Sequence, residues 1–541
     1  MKGIPVVSID EFLLAEEKDV DAVIITSWNY HEAFKSELNL VKFEGEVIDI
    51  PEWMMEQFPD FKRPIYEYGD RLSYMQINEL EMLYRHTEGT EKYVLLKKII
   101  YALFIIKDFL YAEKYIDEMA QFFSEFGESA DYCRAICKVK EVLRLCAQTE
   151  GREVLFIHVV DSLADYVVDD MPWLSAQAQK GIRFRNITVQ YPYTYYAMNT
   201  MFTGKNVFDI EKTTWNIDWE DSALLGFIKE NYSINVVSGV QRVVEEFEAV
   251  NDNKTKYPYI TLSETLFEGL ALWKKRNYKN VILLCSVGEV HSPFFRTGAN
   301  SRLFLCKDMV KNAQFEHQFK EAVRYTDEEL EWYDGFYHLT KMPMITMGDH
   351  GVCIGAEVHY FLGCKKDVTR GMKELLIPAL IINGMEGKPK EVKGLVPGTR
   401  ISEIIMAVLE DKADLLDDLC VDATELQFSP GYAEDYCTNF MSRGIWGQYE
   451  GFIGIRTMDE IYLVSGSGKE LYFRPDEWAY RNLAKDTRFT VGLKKCREKL
   501  GDSVFPIEIY GMEKFRKHLE LLAVYDNDCW QSIMAGLACL R

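Results

Sequence analysis

The sequence predicts an α/β protein with a mixed, mostly parallel sheet flanked by helices, preceded by a small α/β unit and a helical spacer. Continuous apolar runs of strand length, as in 154–160 and 281–285, are typical of parallel strands buried on both faces. Helical patterns separate these runs, and parallel strands need such crossovers. Hydrophobic residues make up 48% and charged residues 27% of 541 residues, which fits a globular chain of several domains.

Three segments differ in pattern. In 1–66, short β-branched runs alternate with helical patterns, which predicts a small Rossmann-like α/β module, although no GxGxxG indicates dinucleotide binding. Residues 67–150 repeat apolar positions at helical spacing and predict a helical spacer. Its apolar stretch 93–112 is broken by lysines, so we expect an amphipathic core helix and no integral membrane segment. Residues 151–541 are predicted to form the catalytic domain, with a C-terminal subdomain.

Composition limits the partners that we expect. The net charge of −23 repels phosphate backbones, so nucleic acid is not an expected partner. The N-terminus lacks an apolar run typical of a secretory signal, and 12 cysteines are scattered without a CxxC pair. We therefore expect a cytoplasmic protein with reduced thiols. A protein partner that binds through residues 1–150 is an open alternative.

Side chains that could bind a metal ion or take part in catalysis follow several predicted strands. Asp161 ends one apolar run, and Asp349 with His350 end another, where carboxylate and imidazole atoms suit Zn²⁺ or Mn²⁺. An N-cap is the alternative role for Asp161. Thr194 precedes a predicted helix, whose N-terminus favours an anionic substrate. His291 follows a further strand and is a candidate proton donor.

Basic residues near these segments are candidate sources of positive charge for a phosphate group. Arg183, Arg185, Lys205 and Arg296 belong to this group, and most of them are expected to be solvated surface charges.

A colinear series of segments resembles the sulfatase-like branch of the alkaline phosphatase superfamily. The series is VVDSLADY, MPWLSAQAQKGIRFRN, YPYTYYAMNTMFTGK, VGEVHSPFF, MITMGDHG, GLVPGTRISEII and GFIGIRTMDEIYLVSG, and it covers roughly residues 152–490. The resemblance implies an alkaline-phosphatase-like fold for 151–541.

The resemblance also implies roles for individual residues. Asp161, Asp349 and His350 would be metal ligands, and Thr194 would be the nucleophile that also touches the metal. His291 matches a substrate-contacting histidine of a His-x-Pro segment, and His359 falls near a second catalytic histidine of many members. One divalent ion, Mn²⁺ or Zn²⁺, is expected, with a second ion left open through Glu289, His291 and His359.

Departures from the family pattern reduce the number of reactions that we expect. No cysteine begins the C/S-x-P-x-R motif of true sulfatases, and Ser162 stands where those enzymes carry a second acid. A threonine nucleophile resembles the phosphoglycerol and phosphoethanolamine transferases. We therefore expect a phosphotransferase or phosphodiester hydrolase that acts through a phosphothreonine, on a phosphorylated glycan or a lipid- or nucleotide-linked precursor. The alternatives are a hydrolase of small phosphate, phosphonate or sulfate esters, and a non-catalytic scaffold.

Overall fold

The structure is a computed structural model. It describes residues 22–25, 35, 38–39, 43–50, 52–53, 74–148, 153–192, 194–206, 222–238, 261–275, 279–286, 290–291, 313–351, 376–385, 389–428, 452–465, 470–474 and 483–500.

The described strands form a seven-stranded sheet, a four-stranded antiparallel sheet and two pairs of parallel strands. In chain order the strands are β1 (Ala22–Ile25), β2 (Glu46–Asp49), β3 (Glu153–Val160), β4 (Ile182–Phe184), β5 (Ile187–Thr188), β6 (Ser233–Ser238), β7 (Lys279–Ser286), β8 (Met344–Met347), β9 (Leu380–Asn383), β10 (Lys390–Val392), β11 (Val396–Pro397), β12 (Ala423–Phe428), β13 (Phe452–Thr457), β14 (Ile461–Ser465) and β15 (Glu470–Phe473).

Described helices lie in six of the intervals between consecutive strands. In chain order the described helices are α1 (Tyr74–His86), α2 (Gly89–Ile105), α3 (Phe109–Phe122), α4 (Ser129–Ala147), α5 (Asp165–Val168), α6 (Pro172–Lys180), α7 (Thr194–Thr203), α8 (Ala223–Asn231), α9 (Leu262–Lys275), α10 (Ala313–Tyr337), α11 (Ile401–Leu409) and α12 (Thr490–Leu500). Short 3-10 segments are Ser124–Phe126, His338–Thr340, Gly398–Arg400, Ala413–Leu419 and Thr487–Phe489.

The seven-stranded sheet has the order β10-β4-β9-β8-β3-β7-β6. Strand β7 pairs in parallel with both β3 and β6, whereas β4 pairs antiparallel with β9. In β3 and β7 every residue after the first is buried, as expected of strands covered on both faces. The predicted mixed, mainly parallel sheet flanked by helices is therefore confirmed.

The apolar stretch 93–112 forms two helices where the sequence predicts one. Helix α2 ends at Ile105, and Lys107 has a positive φ of 61°, which breaks the helical backbone. Asp108 then begins α3, because its side chain accepts a hydrogen bond from the Tyr111 backbone N–H at 3.0 Å. None of the helices in the described residues combines the length and the apolar composition that a bilayer crossing requires.

Helix α3 packs against α10. The Trp332 indole N–H donates to Glu113 at 3.0 Å, and the Lys114 ammonium lies 2.5 Å from a Glu328 carboxylate oxygen. The Tyr325 hydroxyl donates to the wholly buried Asp108 at 2.7 Å. These contacts join residues more than 200 positions apart in the sequence. The domain boundaries at residues 66 and 150 stay predictions. Strands β1 and β2 of the N-terminal module form a parallel pair.

The C-terminal strands β12 to β15 form an antiparallel sheet that packs on α12. Its core consists of Ile453, Ile455, Tyr462, Tyr472, Leu483, Leu493, Cys496 and Leu500. Arg456 on β13 is wholly buried, and its guanidinium donates to the Thr188 hydroxyl and to the Asn186 side-chain oxygen. Through this guanidinium, β13 holds the chain around β5 that leads toward Thr194.

Candidate metal centre and active site

The loop after β3 carries the first predicted ligand. Asp161 is 5% exposed, and its backbone N–H donates to the Ser286 carbonyl at the end of β7 at 3.0 Å. Ser162 has a φ of 66°, a left-handed conformation that is uncommon outside glycine. Its backbone N–H donates to Asp349 Oδ1 at 2.9 Å. The unusual backbone therefore accompanies a direct bond to a second predicted ligand.

The loop after β8 carries the other two predicted ligands. Asp349 is fully buried, and its Oδ1 accepts a second hydrogen bond from the His350 backbone N–H at 2.8 Å. Gly348 precedes it in a position without room for a side chain, since a Cβ there would lie 2.1 Å from the Leu163 carbonyl oxygen. The glycine lets the two loops approach closely.

The three predicted ligands come together. Ligand atoms of Asp161, Asp349 and His350 all lie within 4.8 Å of one another, and all three residues are buried. Two carboxylates so close together repel each other in a site of low dielectric constant, and a cation offsets that repulsion. Two oxygen donors with one imidazole nitrogen match the ligands of Zn²⁺ or Mn²⁺, so the residues present fit a divalent ion. Their role as ligands stays a prediction.

Hydrogen bonding orients the His350 ring. Its Nδ1 lies 2.7 Å from the Gly351 carbonyl oxygen, which can only accept, so this contact favours a proton on Nδ1. In that tautomer Nε2 presents a lone pair, and it lies 3.4 Å from both Asp349 Oδ2 and Thr194 Oγ1. This nitrogen is therefore prepared to bind a metal ion or to accept a proton.

Thr194 is the first residue of α7 and is half-buried. The helix is ten residues long, and backbone N–H groups of a helix's first turn have no partner within the helix. These groups and the positive end of the helix dipole favour an anionic group at this point. The predicted nucleophile thus lies beside His350, at a helix terminus that favours an anionic group.

His291 lies next to the same loop. Its Nε2 is 4.0 Å from Asp161 Oδ1, and its side chain is 38% exposed, so solvent and solutes reach it. His359 and Glu289, predicted as further site residues, lie outside the described residues. The structure therefore brings together Asp161, Thr194, His291, Asp349 and His350.

A buried histidine lies beneath the loop. His158 on β3 is inaccessible to solvent, and burial lowers its pKa from 6.5 to about 3. Its Nε2 lies 3.3 Å from the Ser286 hydroxyl, in the residue whose carbonyl receives the Asp161 N–H. A neutral His158 therefore supports the end of β7 next to the candidate centre.

The sequence does not reveal several supporting residues. The contact of the Ser162 N–H depends on a backbone conformation that residue types alone do not indicate. Arg183 belongs to a group of basic residues that are expected mostly to be solvated surface charges. For Arg183 this expectation is wrong, because the side chain is buried and pairs with Asp165. The glycine before Asp349 is a visible signal, because glycine next to chemically active residues often marks close backbone approach.

Comparison with protein-family profiles finds no match, and a search of curated protein sequences finds none either. Solved structures do show similarity. A phosphonate monoester hydrolase of Agrobacterium radiobacter is 12% identical, with a TM-score of 0.45 over 64% of this chain and 94% of that chain.

Two further structures show similarity of the same order. A candidate sulfatase from Bacteroides thetaiotaomicron is 12% identical, with a TM-score of 0.48 over 66% of this chain and 93% of its own. An alkaline phosphatase superfamily protein from Vibrio parahaemolyticus is 13% identical, with a TM-score of 0.40 over 62% and 86%. The Vibrio parahaemolyticus protein is described as a member of the alkaline phosphatase superfamily, and the sequence motifs of this chain resemble the sulfatase-like branch of that superfamily.

Proposed function

We propose that this protein is a metal-dependent enzyme that transfers or hydrolyses the phosphoryl group of phosphate esters through Thr194. The observation that carries the proposal is the cluster of Asp161, Asp349 and His350, with the Thr194 hydroxyl 3.4 Å from His350 Nε2. A hydroxyl beside a set of metal-binding side chains is the arrangement that nucleophilic phosphoryl transfer needs.

The proposed metal ligands are Asp161, Asp349 and His350, with Thr194 within reach of the same ion. A divalent ion there would lower the pKa of a nearby hydroxyl and offset negative charge on phosphoryl oxygens. Zn²⁺ and Mn²⁺ are the proposed ions, because both accept mixed oxygen and nitrogen ligands. One ion is proposed, and a second through Glu289, His291 and His359 stays open.

In the proposed reaction, Thr194 Oγ1 attacks the phosphorus atom of the ester. The new bond joins Oγ1 to phosphorus, the bond from phosphorus to the leaving oxygen breaks, and the hydroxyl proton is released. The first turn of α7 supports this step, because its backbone N–H groups stabilise negative charge on the phosphoryl oxygens. The product is a phosphothreonine.

His291 is the proposed proton donor to the leaving oxygen, since its side chain is 38% exposed and lies 4.0 Å from Asp161. Water or an acceptor hydroxyl then attacks phosphorus, which breaks the bond to Oγ1 and restores Thr194. Water gives hydrolysis and an acceptor gives transfer. A phosphorylated glycan, or a lipid- or nucleotide-linked precursor, is the proposed natural substrate, and the cytoplasm is the proposed location.

The threonine at position 194 argues against a sulfatase. True sulfatases make formylglycine from cysteine or serine, and neither stands at position 194. Small phosphate and phosphonate esters remain alternative substrates, and a scaffold without activity is the alternative from another class.

The test is hydrolysis of bis-p-nitrophenyl phosphate with added Mn²⁺ or Zn²⁺. Thr194→Ala should lower kcat by roughly 10³-fold or more, as expected for loss of a nucleophile, whereas Thr194→Ser should retain part of the activity. Thr490→Ala is the matched control, because Thr490 is also the first residue of a helix. Activity that survives in Thr194→Ala would reject the nucleophile. Added alcohols that speed aryl oxide release would identify a transferase.

A further inference from the structure

A buried ion pair lies at the far end of the loop that carries Asp161. Arg183 on β4 donates from Nε to Asp165 Oδ1 at 2.9 Å and from Nη2 to the Asp165 carbonyl oxygen at 2.8 Å. Both side chains are only 7% exposed. One guanidinium thus hydrogen-bonds both the side chain and the backbone of Asp165. The planar guanidinium group, with several N–H donors in fixed positions, makes this double contact possible.

The same loop is held at other points along its backbone. The Asp165 N–H donates to the Ile377 carbonyl at 3.0 Å, and the Ala379 N–H donates to the Leu163 carbonyl at 2.8 Å. Only three residues separate Asp161 from Asp165, so a displacement of Asp165 is transmitted through a short chain to the ligand loop. The loop has little freedom to compensate.

We propose that Arg183 is a positioning residue for the metal centre, which fixes the 161–165 loop so that Asp161 and the Ser162 N–H face Asp349. The inference rests on the proposed function, because it assigns Arg183 a role toward the ion that Asp161 and Asp349 would bind. In this proposal Arg183 acts through Asp165 and not by direct contact with substrate or ion.

Stability alone is a weak explanation for this pair. Removing two charges from water costs about as much as their attraction returns, and apolar pairs of similar volume are often equally stable. The ion pair does supply fixed geometry, since two hydrogen bonds from one rigid group define the position of Asp165. Groups that orient metal ligands change metal affinity when they are replaced, typically about 10–100-fold.

Arg185, two residues after Arg183, provides a control. Its Nε lies 3.5 Å from Asp165 Oδ2 and 3.5 Å from Glu391 Oε1, and its side chain is 28% exposed. Its contact with Asp165 is longer and more accessible to water than that of Arg183. Replacement of Arg185 should therefore disturb the loop much less.

The experiment measures the Mn²⁺ dissociation constant of metal-free protein by isothermal titration calorimetry, and the unfolding temperature of the same samples without metal. Arg183→Met should raise the dissociation constant at least about tenfold, and Arg183→Lys, which keeps the charge but loses the fork, at least about threefold. Arg185→Met should stay within about twofold of the wild type.

The outcomes separate the inference from the proposed function. A wild type that binds Mn²⁺ together with Arg183 variants of unchanged affinity and lowered unfolding temperature would overturn the positioning role alone. A wild type that binds neither Mn²⁺ nor Zn²⁺ would overturn both. If Arg183→Met does not fold, Arg183→Lys decides the question, because it keeps a buried cation beside Asp165.

Discussion

One carboxylate oxygen links the two loops of the candidate centre. Asp349 Oδ1 accepts hydrogen bonds from the backbone N–H groups of Ser162 and His350, at 2.9 and 2.8 Å. Such bonds fix a ligand before an ion arrives and reduce the cost of ordering it. Because Gly348 lies against the Leu163 carbonyl, the approach of the loops depends on the absence of a side chain there.

Replacement of Gly348 by alanine tests this approach. The new Cβ would lie 2.1 Å from a backbone oxygen that cannot rotate away, so the loops must separate. We expect a loss of about 1–3 kcal/mol in the free energy of unfolding, as for overpacking, together with weaker metal binding. Urea unfolding and Mn²⁺ titration measure the two effects.

The matched control is Gly335→Ala in α10, where a Cβ would meet nothing within 4 Å. Alanine should be neutral or stabilising there, by up to about 1 kcal/mol. Equal stability and equal metal affinity of the two variants would contradict the close approach of the loops.

The close approach of the three predicted ligands could be anticipated at this scale, because each of them follows an apolar strand. Asp161 comes after β3, and Asp349 and His350 come after β8, so their clustering follows from strand order once the sheet forms. The pairing of Arg183 with Asp165 could not be predicted, since it depends on which neighbours a folded sheet brings beside β4. No pattern in the sequence specifies such a contact.

At the scale of elements, β3 contains a neutral buried histidine and is followed by the predicted ligand Asp161. Burial lowers the pKa of His158 to about 3 from its ordinary 6.5. Below pH 6.5 the unfolded chain therefore binds a proton at His158, whereas the folded chain does not. Above pH 6.5 the histidine is neutral in both states and does not affect stability, and the fold loses stability as pH falls from 6.5 toward 3.

This linkage predicts an acid-sensitive fold. Below pH 6.5 the single histidine should contribute a loss of about 1.4 kcal/mol per pH unit, and His158→Leu should remove that contribution. The measurement is the free energy of unfolding in urea between pH 6.5 and 5, for wild type, His158→Leu and the exposed His86→Leu. Identical slopes in wild type and His158→Leu would contradict a buried, neutral His158.

The elements themselves were predictable to different extents. Strands β3, β7 and β8 follow from apolar runs of strand length, because burial on both faces requires them. The break between α2 and α3 was missed, since apolar periodicity continues across it. Asp108 was the available signal, as a residue that commonly begins a helix.

The net negative charge of the whole molecule repels the proposed anionic substrate. A net charge of −23 repels anions at long range, whereas the candidate centre should attract them once metal is bound. Salt screens the long-range repulsion over a Debye length of about 10 Å at 0.1 M but weakens short contacts less. We therefore expect kcat/KM for the anion bis-p-nitrophenyl phosphate to rise with ionic strength.

The measurement compares kcat/KM at low and physiological NaCl, with uncharged p-nitrophenyl acetate as the control if the protein also cleaves it, and with solution viscosity held constant. An increase of about twofold is expected for the phosphate diester. A decrease would show that a local positive field governs substrate approach. The helical character of residues 74–147 could be predicted from their apolar spacing, whereas their contacts with α10 depend on the complete fold.

The most direct test of the central claim is to trap the covalent intermediate. Metal-loaded protein is mixed with bis-p-nitrophenyl phosphate and quenched in acid, and the peptide that contains Thr194 is analysed by mass spectrometry. The account predicts an aryl phosphoryl group on Thr194 that is absent without metal and absent in Thr194→Ala. Metal-dependent turnover with an unmodified Thr194, or with the group on another residue, would contradict it.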